Sequence, residues 1–223
     1  MPTRTRFVFL MHPKEYKQEK AATGRLAHLC LQNSEIVMGI EFDGNERVQS
    51  LIQDPANAPF LLFPGADALN LSDLGDASGR HGAMRQAFVE RQPVVFILDA
   101  TWALGKKMLK LSPSLQRLPR IMFVPSAPSR FVIKQQPAAG CLSTLEAVHQ
   151  LLVALEGADL DAYPLPDQLL SIFDRMQDFQ IRCATDPKLG GYRRGAYTAP
   201  SERKPLQGRS ASRRARVFQS PAT

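Results

Sequence analysis

The fold of this protein is decided by one stretch of its sequence, Val94-Val95-Phe96-Ile97-Leu98-Asp99-Ala100-Thr101-Trp102. Its first five residues are β-branched, aromatic or aliphatic without interruption, which is typical of a strand that is buried on both faces. The run ends on a carboxylate, Asp99, and a polar turn follows. Because ligands of parallel sheets bind at the carboxyl ends of the strands, this turn is the first candidate for a functional site.

Other short apolar runs predict further strands of the same sheet. They cover residues 7–11, 36–42, 60–63 and 121–124. Segments between them, such as residues 47–54 and 83–90, are long enough to be crossover helices. The alternation predicts an α/β protein with a mostly parallel sheet and helices on both faces.

Two longer helices are predicted towards the C-terminus. Ser143-Thr144-Leu145-Glu146 has the form of a capping box and predicts a helix over residues 144–156. Residues 167–183 form a second amphipathic pattern. Beyond residue 187 the helical pattern ends and Gly, Pro, Ser and Arg predominate, so we place a domain boundary there, between a folded domain (residues 1–187) and a tail (residues 188–223).

The composition is that of a cytosolic globular protein. Hydrophobic residues make up 44% of the 223 residues, so a packed core is expected. No apolar run approaches the roughly 20 residues that span a bilayer, and the first residues lack a signal-peptide pattern. The three cysteines are far apart and form no C-x-x-C pair, which predicts neither a disulfide framework nor a metal site.

The basic excess of the sequence lies in its tail. From residue 188 onward there are nine Lys or Arg residues and one acid, a net charge of +8, while the body carries −1. Such a segment cannot bury enough apolar surface to order itself, so we expect a disordered tail. Nucleic acid is its natural partner, and a merely solubilising tail is the alternative.

Common catalytic motifs are absent. The strand that ends in Asp99 resembles the metal-presenting strand of P-loop NTPases, but no G-x-x-x-x-G-K-[ST] loop accompanies it. The four histidines lack the H-E-x-x-H spacing of helical zinc sites, and neither G-x-G-x-x-G nor G-x-S-x-G occurs.

Several ordered motifs together resemble the DTW-domain family of tRNA-uridine aminocarboxypropyltransferases. They are Asp99-Ala100-Thr101-Trp102 with the basic pair Lys106-Lys107, Leu142-Ser143-Thr144-Leu145-Glu146-Ala147, His12-Pro13-x-Glu15, Thr23-Gly24-Arg25-Leu26 and Phe63-Pro64-Gly65. The resemblance covers roughly residues 7–182. The sequence departs from the family in two ways: it lacks the N-terminal cysteine cluster of many relatives, and Phe131-Val132-Ile133-Lys134 stands where relatives often have Y-x-x-R.

The resemblance implies a SPOUT-like fold, in which a knot in the C-terminal half of the sheet encloses S-adenosylmethionine. It implies three cofactor-binding loops, which contain Phe63, Pro64, Gly65, Leu98, Ala100, Thr101, Leu142, Ser143, Thr144 and Glu146. It also implies tRNA as partner, with Arg25, Lys106, Lys107 and Lys134 as candidate RNA-binding cations. Solvated surface charge is the alternative for these cations.

The implied reaction is attack by N3 of a uridine on the methionine moiety of S-adenosylmethionine, with release of methylthioadenosine. The N3 proton must leave, which requires a general base, and Asp99 is our candidate. Two alternatives stay open for Asp99: a cap of the following helix, or a ligand of the methionine ammonium.

The neighbouring residues also have structural alternatives. Trp102 could stack on a uracil or adenine ring, although packing in the core is the commoner role of a Trp at a strand end. Thr101 could contact the cofactor or cap a helix. Ser143 and Glu146 could be no more than the capping box, and His12 and Glu15 could line the RNA face or form a turn.

Two other functions stay possible. One is an RNA methyltransferase of the same fold class, which would release S-adenosylhomocysteine. The other is a non-catalytic RNA-binding module, which would bind no cofactor.

Overall fold

The computed structural model describes residues 1–18, 22–73, 79–133, 141–189 and 198–202. Within these ranges the strands are β1 (Arg6–Met11), β2 (Ser34–Met38), β3 (Asn57–Leu62), β4 (Leu69–Asn70), β5 (Gln92–Asp99) and β6 (Arg120–Met122). They form one six-stranded sheet in the order β2-β1-β5-β3-β6-β4. Every strand pair is parallel.

Eight α-helices lie in the described ranges. They are α1 (Pro13–Gln18), α2 (Thr23–Cys30), α3 (Glu46–Gln53), α4 (Gly79–Glu90), α5 (Trp102–Lys110), α6 (Pro113–Gln116), α7 (Thr144–Gly157) and α8 (Asp167–Thr185). Two short 3₁₀ segments follow, at Pro187–Leu189 and Pro200–Glu202. None of these helices combines the length and apolarity needed to cross a membrane.

The sheet separates two apolar layers because side chains alternate along its strands. On central strand β5, Val95 and Ile97 point into a cluster shared with α2, α4, α7 and α8, which we call the α7 face. Val94 and Phe96 point into a second cluster shared with α3, α5 and α6, which we call the α5 face. The predicted α/β fold, with a parallel sheet and helices on both faces, is confirmed.

The second predicted strand is wrong in its later half. β2 ends at Met38, and Phe42 is instead fully buried on the α5 face. The Phe42 ring packs so closely on Gly39 that a Cβ there would lie 2.8 Å from Phe42 Cε1. The Phe42 N–H donates to Ser112 Oγ at 3.1 Å. The chain therefore turns at Gly39 to place Phe42 in the core.

The two long C-terminal helices are confirmed. α7 begins with the predicted capping box, in which Ser143 Oγ accepts from the Glu146 N–H at 3.3 Å and Glu146 Oε2 accepts from the Ser143 N–H at 2.8 Å. The knot and the domain boundary after residue 187 stay predictions, because residues 134–140, 190–197 and 203–223 lie outside the described ranges.

A buried polar pair fixes α7 to the chain that leads into α8. The Tyr163 hydroxyl donates to the Pro166 carbonyl at 3.0 Å, and His149 Nδ1 lies 2.9 Å from the same hydroxyl. Since that hydroxyl donates to Pro166, His149 Nδ1 carries the proton and donates to it. Burial lowers the pKa of His149 and raises that of Tyr163, so both groups are held neutral.

Candidate functional site

The carboxyl ends of three adjacent strands meet at one edge of the sheet. β5 lies between β1 and β3, so the residues that follow these strands are neighbours. The His12 N–H donates to the Asp99 backbone carbonyl at 3.1 Å, which extends the β1–β5 ladder to the end of both strands. This edge brings together three of the motifs singled out in the sequence.

The Asp99 carboxylate points to the α7 face, as the alternation along β5 requires, and is only 5% exposed. Thr144, the first residue of α7, donates its hydroxyl to Asp99 Oδ1 at 2.5 Å. A charge-assisted hydrogen bond of this length holds the carboxylate in a single orientation. Two motifs that are 45 residues apart in the sequence therefore share one contact.

The first turn of α2 packs directly on the same carboxylate. A Cβ built on Gly24 would lie 2.2 Å from Asp99 Oδ2 and 2.6 Å from Asp99 Cγ, so the close approach requires glycine. The helix begins at Thr23, after the N-cap residue Ala22, whose side chain makes no capping hydrogen bond. The N-terminal end of α2 thus lies beside the carboxylate.

The capping alternative for Asp99 is wrong. Helix α5 begins at Trp102, and its N-cap residue is Thr101, two positions beyond Asp99. Thr101 makes no side-chain capping bond and is exposed, so a capping role for its side chain is also wrong. Ala100 and Thr101 separate Asp99 from the first residue of α5, so Asp99 is too far from the helix to be its N-cap.

The buried Glu146 carboxylate does more than close the capping box. It also accepts from the Ser129 hydroxyl at 2.8 Å and from the Arg130 N–H at 2.6 Å. The segment that follows β6 is thereby fixed to the start of α7. The sequence gives no signal for these two partners, because the loop residues carry no recognisable motif.

The loop after β3 lies at the same edge but is built around an aromatic group. Phe63 continues the sheet by donating its N–H to the Ile121 carbonyl at 3.1 Å. Its ring has the Arg120 guanidinium 5.6 Å from its centroid and the Trp102 ring at 6.2 Å. A Cβ on Gly65 would lie 3.0 Å from Arg120 Nη1, so the loop and Arg120 are in close contact.

The other predicted cofactor-binding residues divide between the two faces. Phe63, Leu98 and Ala100 pack against the cluster of the α5 face, away from the Asp99 carboxylate. Leu142 is partly buried in the chain that enters α7, and Pro64 is exposed. At this edge, Asp99, Thr144 and the first turn of α2 therefore lie together on the α7 face. Phe63, with the neighbouring Arg120 and Trp102 side chains, lies on the α5 face.

The predicted RNA-binding cations are not gathered at one point. Arg25 Nη2 donates to the Tyr16 carbonyl at 2.9 Å, and its guanidinium lies 4.8 Å from the Tyr16 ring centroid, which joins α2 to α1. Lys106 and Lys107 are exposed on α5. Lys134 lies outside the described residues.

His12 takes the structural role that its motif allowed. Its Nδ1 accepts from the Lys14 N–H at 3.1 Å, and the Tyr16 N–H donates to the His12 carbonyl at 3.1 Å. Glu15 belongs to the first turn of the same short helix, α1. In the part of the chain that the structure describes, no three His, Cys, Asp or Glu side chains gather as a metal site would require.

Sequence reasoning identified Asp99 but missed the role of Gly24. A glycine in the first turn of a helix marks a place where another group approaches the backbone. That signal was available in Thr23-Gly24-Arg25, although it could not say which group approaches. Arg120 was missed as well, since a cation at the start of a strand is ordinarily a solvated charge.

The sequence over residues 1–181 matches the DTW domain. The chain therefore belongs to the DTW-domain family. Similar proteins include tRNA-uridine aminocarboxypropyltransferase 2 of Drosophila melanogaster, 30% identical over 156 residues, which cover 68% of this chain and 57% of the relative. The Mus musculus protein of the same name is 28% identical over 205 residues, covering 88% of this chain and 62% of the relative.

A more distant relative is tRNA-uridine aminocarboxypropyltransferase A of Arabidopsis thaliana, which is 23% identical over 196 residues, or 82% of this chain and 73% of the relative. The chain spans about three fifths of the length of the animal relatives it matches, 57% in the fly protein and 62% in the mouse protein. No solved structure matches the chain.

Proposed function

We propose that this protein is a tRNA-uridine aminocarboxypropyltransferase. It transfers the 3-amino-3-carboxypropyl group of S-adenosylmethionine to N3 of a tRNA uridine and releases methylthioadenosine. The observation that carries the proposal is the convergence of three motifs on one buried carboxylate, Asp99, which contacts Thr144 of α7 and the backbone of Gly24 in α2. The names of the animal and plant relatives support the same activity.

Asp99 is the general base of the proposed reaction. The N3–carbon bond forms while the carbon–sulfur bond of the sulfonium breaks, and the bonding electrons leave on sulfur as a neutral thioether. The proton of N3 passes to the carboxylate. The Thr144 hydroxyl, which donates to Asp99 Oδ1, would hold the carboxylate in the orientation that accepts this proton.

The donor is proposed to bind at this edge of the sheet, against residues 63–65, 98–101 and 142–146. The Thr144–Asp99 hydrogen bond joins the last two of these segments. The Glu146 carboxylate is already engaged by three protein donors, so residues 142–146 would contact the donor mainly through their backbone.

The acceptor is proposed to be a tRNA in the cytosol. Arg25, Lys106, Lys107 and Lys134 are its candidate phosphate contacts, together with the basic tail. Arg25 would act from a fixed position, because Tyr16 holds its guanidinium. Lys106 and Lys107 stand on the exposed side of α5, one turn after Trp102.

Product analysis tests the proposal. The purified protein is incubated with unmodified tRNA and S-adenosylmethionine, and nucleosides and small molecules are identified by mass spectrometry. We expect methylthioadenosine and aminocarboxypropyl-uridine in equal amounts, and neither when tRNA is omitted. Formation of S-adenosylhomocysteine would instead make the protein a methyltransferase. RNA binding without any binding of S-adenosylmethionine would make it a non-catalytic module.

A further inference from the structure

The body of the protein has a charge asymmetry that its net charge of about −1 conceals. Between Asp99 and Glu146 there are seven basic residues and no acidic residue. Five of them fall between the start of α5 and the start of β6: Lys106, Lys107, Lys110, Arg117 and Arg120. An uninterrupted stretch of one sign next to a candidate active site suits a polyanionic partner.

The geometry of α5 and α6 gathers these charges on one surface. Lys106, Lys107 and Lys110 are exposed at helical spacing, opposite the buried Met108 and Leu109. Gln116 of α6 donates to the carbonyls of Leu109 and Lys110 at 3.0 and 3.3 Å, so the end of α6 packs on the end of α5. Arg117, which follows Gln116 and is exposed, therefore lies near Lys110. We call Lys106, Lys107, Lys110 and Arg117 the basic ridge.

The ridge begins at an aromatic group that contains the only tryptophan of the chain. Trp102 is the first residue of α5, and its ring lies 6.2 Å from that of Phe63 at an interplanar angle of 57°. Arg120 lies over Phe63, with its guanidinium carbon 5.6 Å from the ring centroid. All three side chains are only partly buried. Aromatic rings and a guanidinium plane at a surface are what unpaired nucleobases stack on.

One acid that contacts α6 is Asp43. Its carboxylate accepts from the Ser114 N–H at 3.0 Å and the Ser114 hydroxyl at 2.6 Å, at the start of α6. Its charge is thus engaged at the opposite end of α6 from Arg117. Asp67 follows the Phe63 loop and is exposed.

Resting on the proposed function, we propose that Trp102, Phe63 and Arg120 form a stacking platform for an unpaired base of the RNA substrate, and that the basic ridge binds the phosphates of the same strand. Phe63 and Trp102 follow β3 and β5 at the edge of the sheet where Asp99 ends β5, so an RNA strand with a base stacked on the platform would pass close to that edge. The partner is single-stranded RNA, because bases within a duplex are not available to an aromatic face.

Intrinsic fluorescence tests the platform, since Trp102 is the single tryptophan. The full-length protein is titrated with octauridylate, and in parallel with an RNA duplex that has the same number of phosphates. We expect saturable quenching of Trp102 by octauridylate and no comparable quenching by the duplex. In an anisotropy assay, Trp102→Leu weakens octauridylate binding about tenfold. Arg120→Lys, which keeps the charge but loses the planar group, weakens it as well and serves if Trp102→Leu does not fold.

The ridge is tested by its salt dependence. For the double variant Lys110→Gln and Arg117→Gln, we expect the slope of log affinity against log salt to fall by about 0.7 for each lost single-strand contact. The double variant Arg175→Gln and Arg182→Gln is the matched control, because it removes the same two charges from exposed positions on α8, which covers the other face of the sheet. It should bind like the unmodified protein.

The inference is overturned if octauridylate leaves Trp102 emission unchanged, or if the ridge variant and the Arg175 and Arg182 control bind alike. Binding is measured here without turnover, so its failure is distinguishable from failure of the proposed function. Quenching without methylthioadenosine formation would overturn the activity and leave the platform standing. Methylthioadenosine formation without quenching would support the activity and overturn the platform.

Discussion

At the scale of single residues, substitution of Thr144 tests whether its hydrogen bond to Asp99 matters for activity. Thr144→Val keeps the shape of the side chain but removes the hydroxyl that donates to Asp99 Oδ1 at 2.5 Å. We expect turnover to fall at least about tenfold, because the base loses its fixed orientation. Thr144→Ser keeps the donor and should recover most of the activity. The measurement is kcat for each variant, together with the affinity for S-adenosylmethionine.

If Thr144 served only to pack the start of α7, Val would be tolerated better than Ser. Equal activity of the Val variant and the unmodified protein would show that the Thr144 hydroxyl has no role in transfer. If Thr144→Val also changed the pH profile of kcat, this would support the conclusion that Thr144 acts through Asp99.

Gly24 gives a second test, with a control inside the same protein. In Gly24→Ala the new methyl group would lie 2.2 Å from Asp99 Oδ2, so either the carboxylate or α2 must move. If α2 moves, we expect the free energy of unfolding to fall by about 1–3 kcal/mol. If the carboxylate moves instead, we expect transfer activity to fall. Gly157→Ala, at the end of α7, meets no atom within 4 Å and should be neutral or slightly stabilising. Indistinguishable behaviour of the two variants in chemical denaturation and in transfer assays would contradict the close approach.

The position of Asp99 at the end of a buried strand could be predicted from the sequence, but its contacts could not. Asp99 follows from a buried strand that ends in a carboxylate. That the carboxylate lies against Gly24 depends on which helix covers which strand, and residue periodicity carries no such information. The capping alternative failed for a local reason, because the N-cap residue of α5 is Thr101 and Asp99 lies two positions before it.

At the scale of elements, long periodic segments were predictable and short ones were not. Strand β5 and helices α7 and α8 carry enough apolar positions to define a period. Helix α6 has four residues and strand β4 has two, which is too few for a pattern. The end of β2 was mispredicted because Phe42 has strand propensity but packs on Gly39 instead.

The capping box of α7 predicts a graded loss of stability. Ser143→Ala removes one capping bond and should cost about 1 kcal/mol. Glu146→Ala removes the acceptor of the Ser143 N–H, the Ser129 hydroxyl and the Arg130 N–H, and should cost about 2–4 kcal/mol. Urea unfolding of both variants checks the order. Equal costs would mean that Glu146 acts only as a cap and does not anchor the segment after β6.

At the scale of the whole molecule, charge is divided between a tail of +8 and a body of −1. We predict that removal of residues 188–223 leaves the body folded and active but weakens tRNA binding. The slope of log affinity against log salt should become shallower by about 0.9 for each lost duplex phosphate contact. Binding to tRNA at several salt concentrations measures it.

If log affinity fell with log salt at the same slope for the truncated and full-length proteins, the tail would make no phosphate contacts with tRNA. The basic ridge would then carry the RNA interaction. Loss of the folded body on truncation would contradict the domain boundary after residue 187.

The central claim is that Asp99 is the base for aminocarboxypropyl transfer, and Asp99→Asn tests it most directly. An amide keeps the shape of the carboxylate but cannot take a proton. We predict that transfer to tRNA falls by about 10²-fold or more, while the affinity for S-adenosylmethionine, measured by calorimetry, stays within about tenfold. Near-normal turnover would contradict the claim. A loss of donor affinity by several orders of magnitude would contradict it too, since Asp99 would then bind the methionine ammonium.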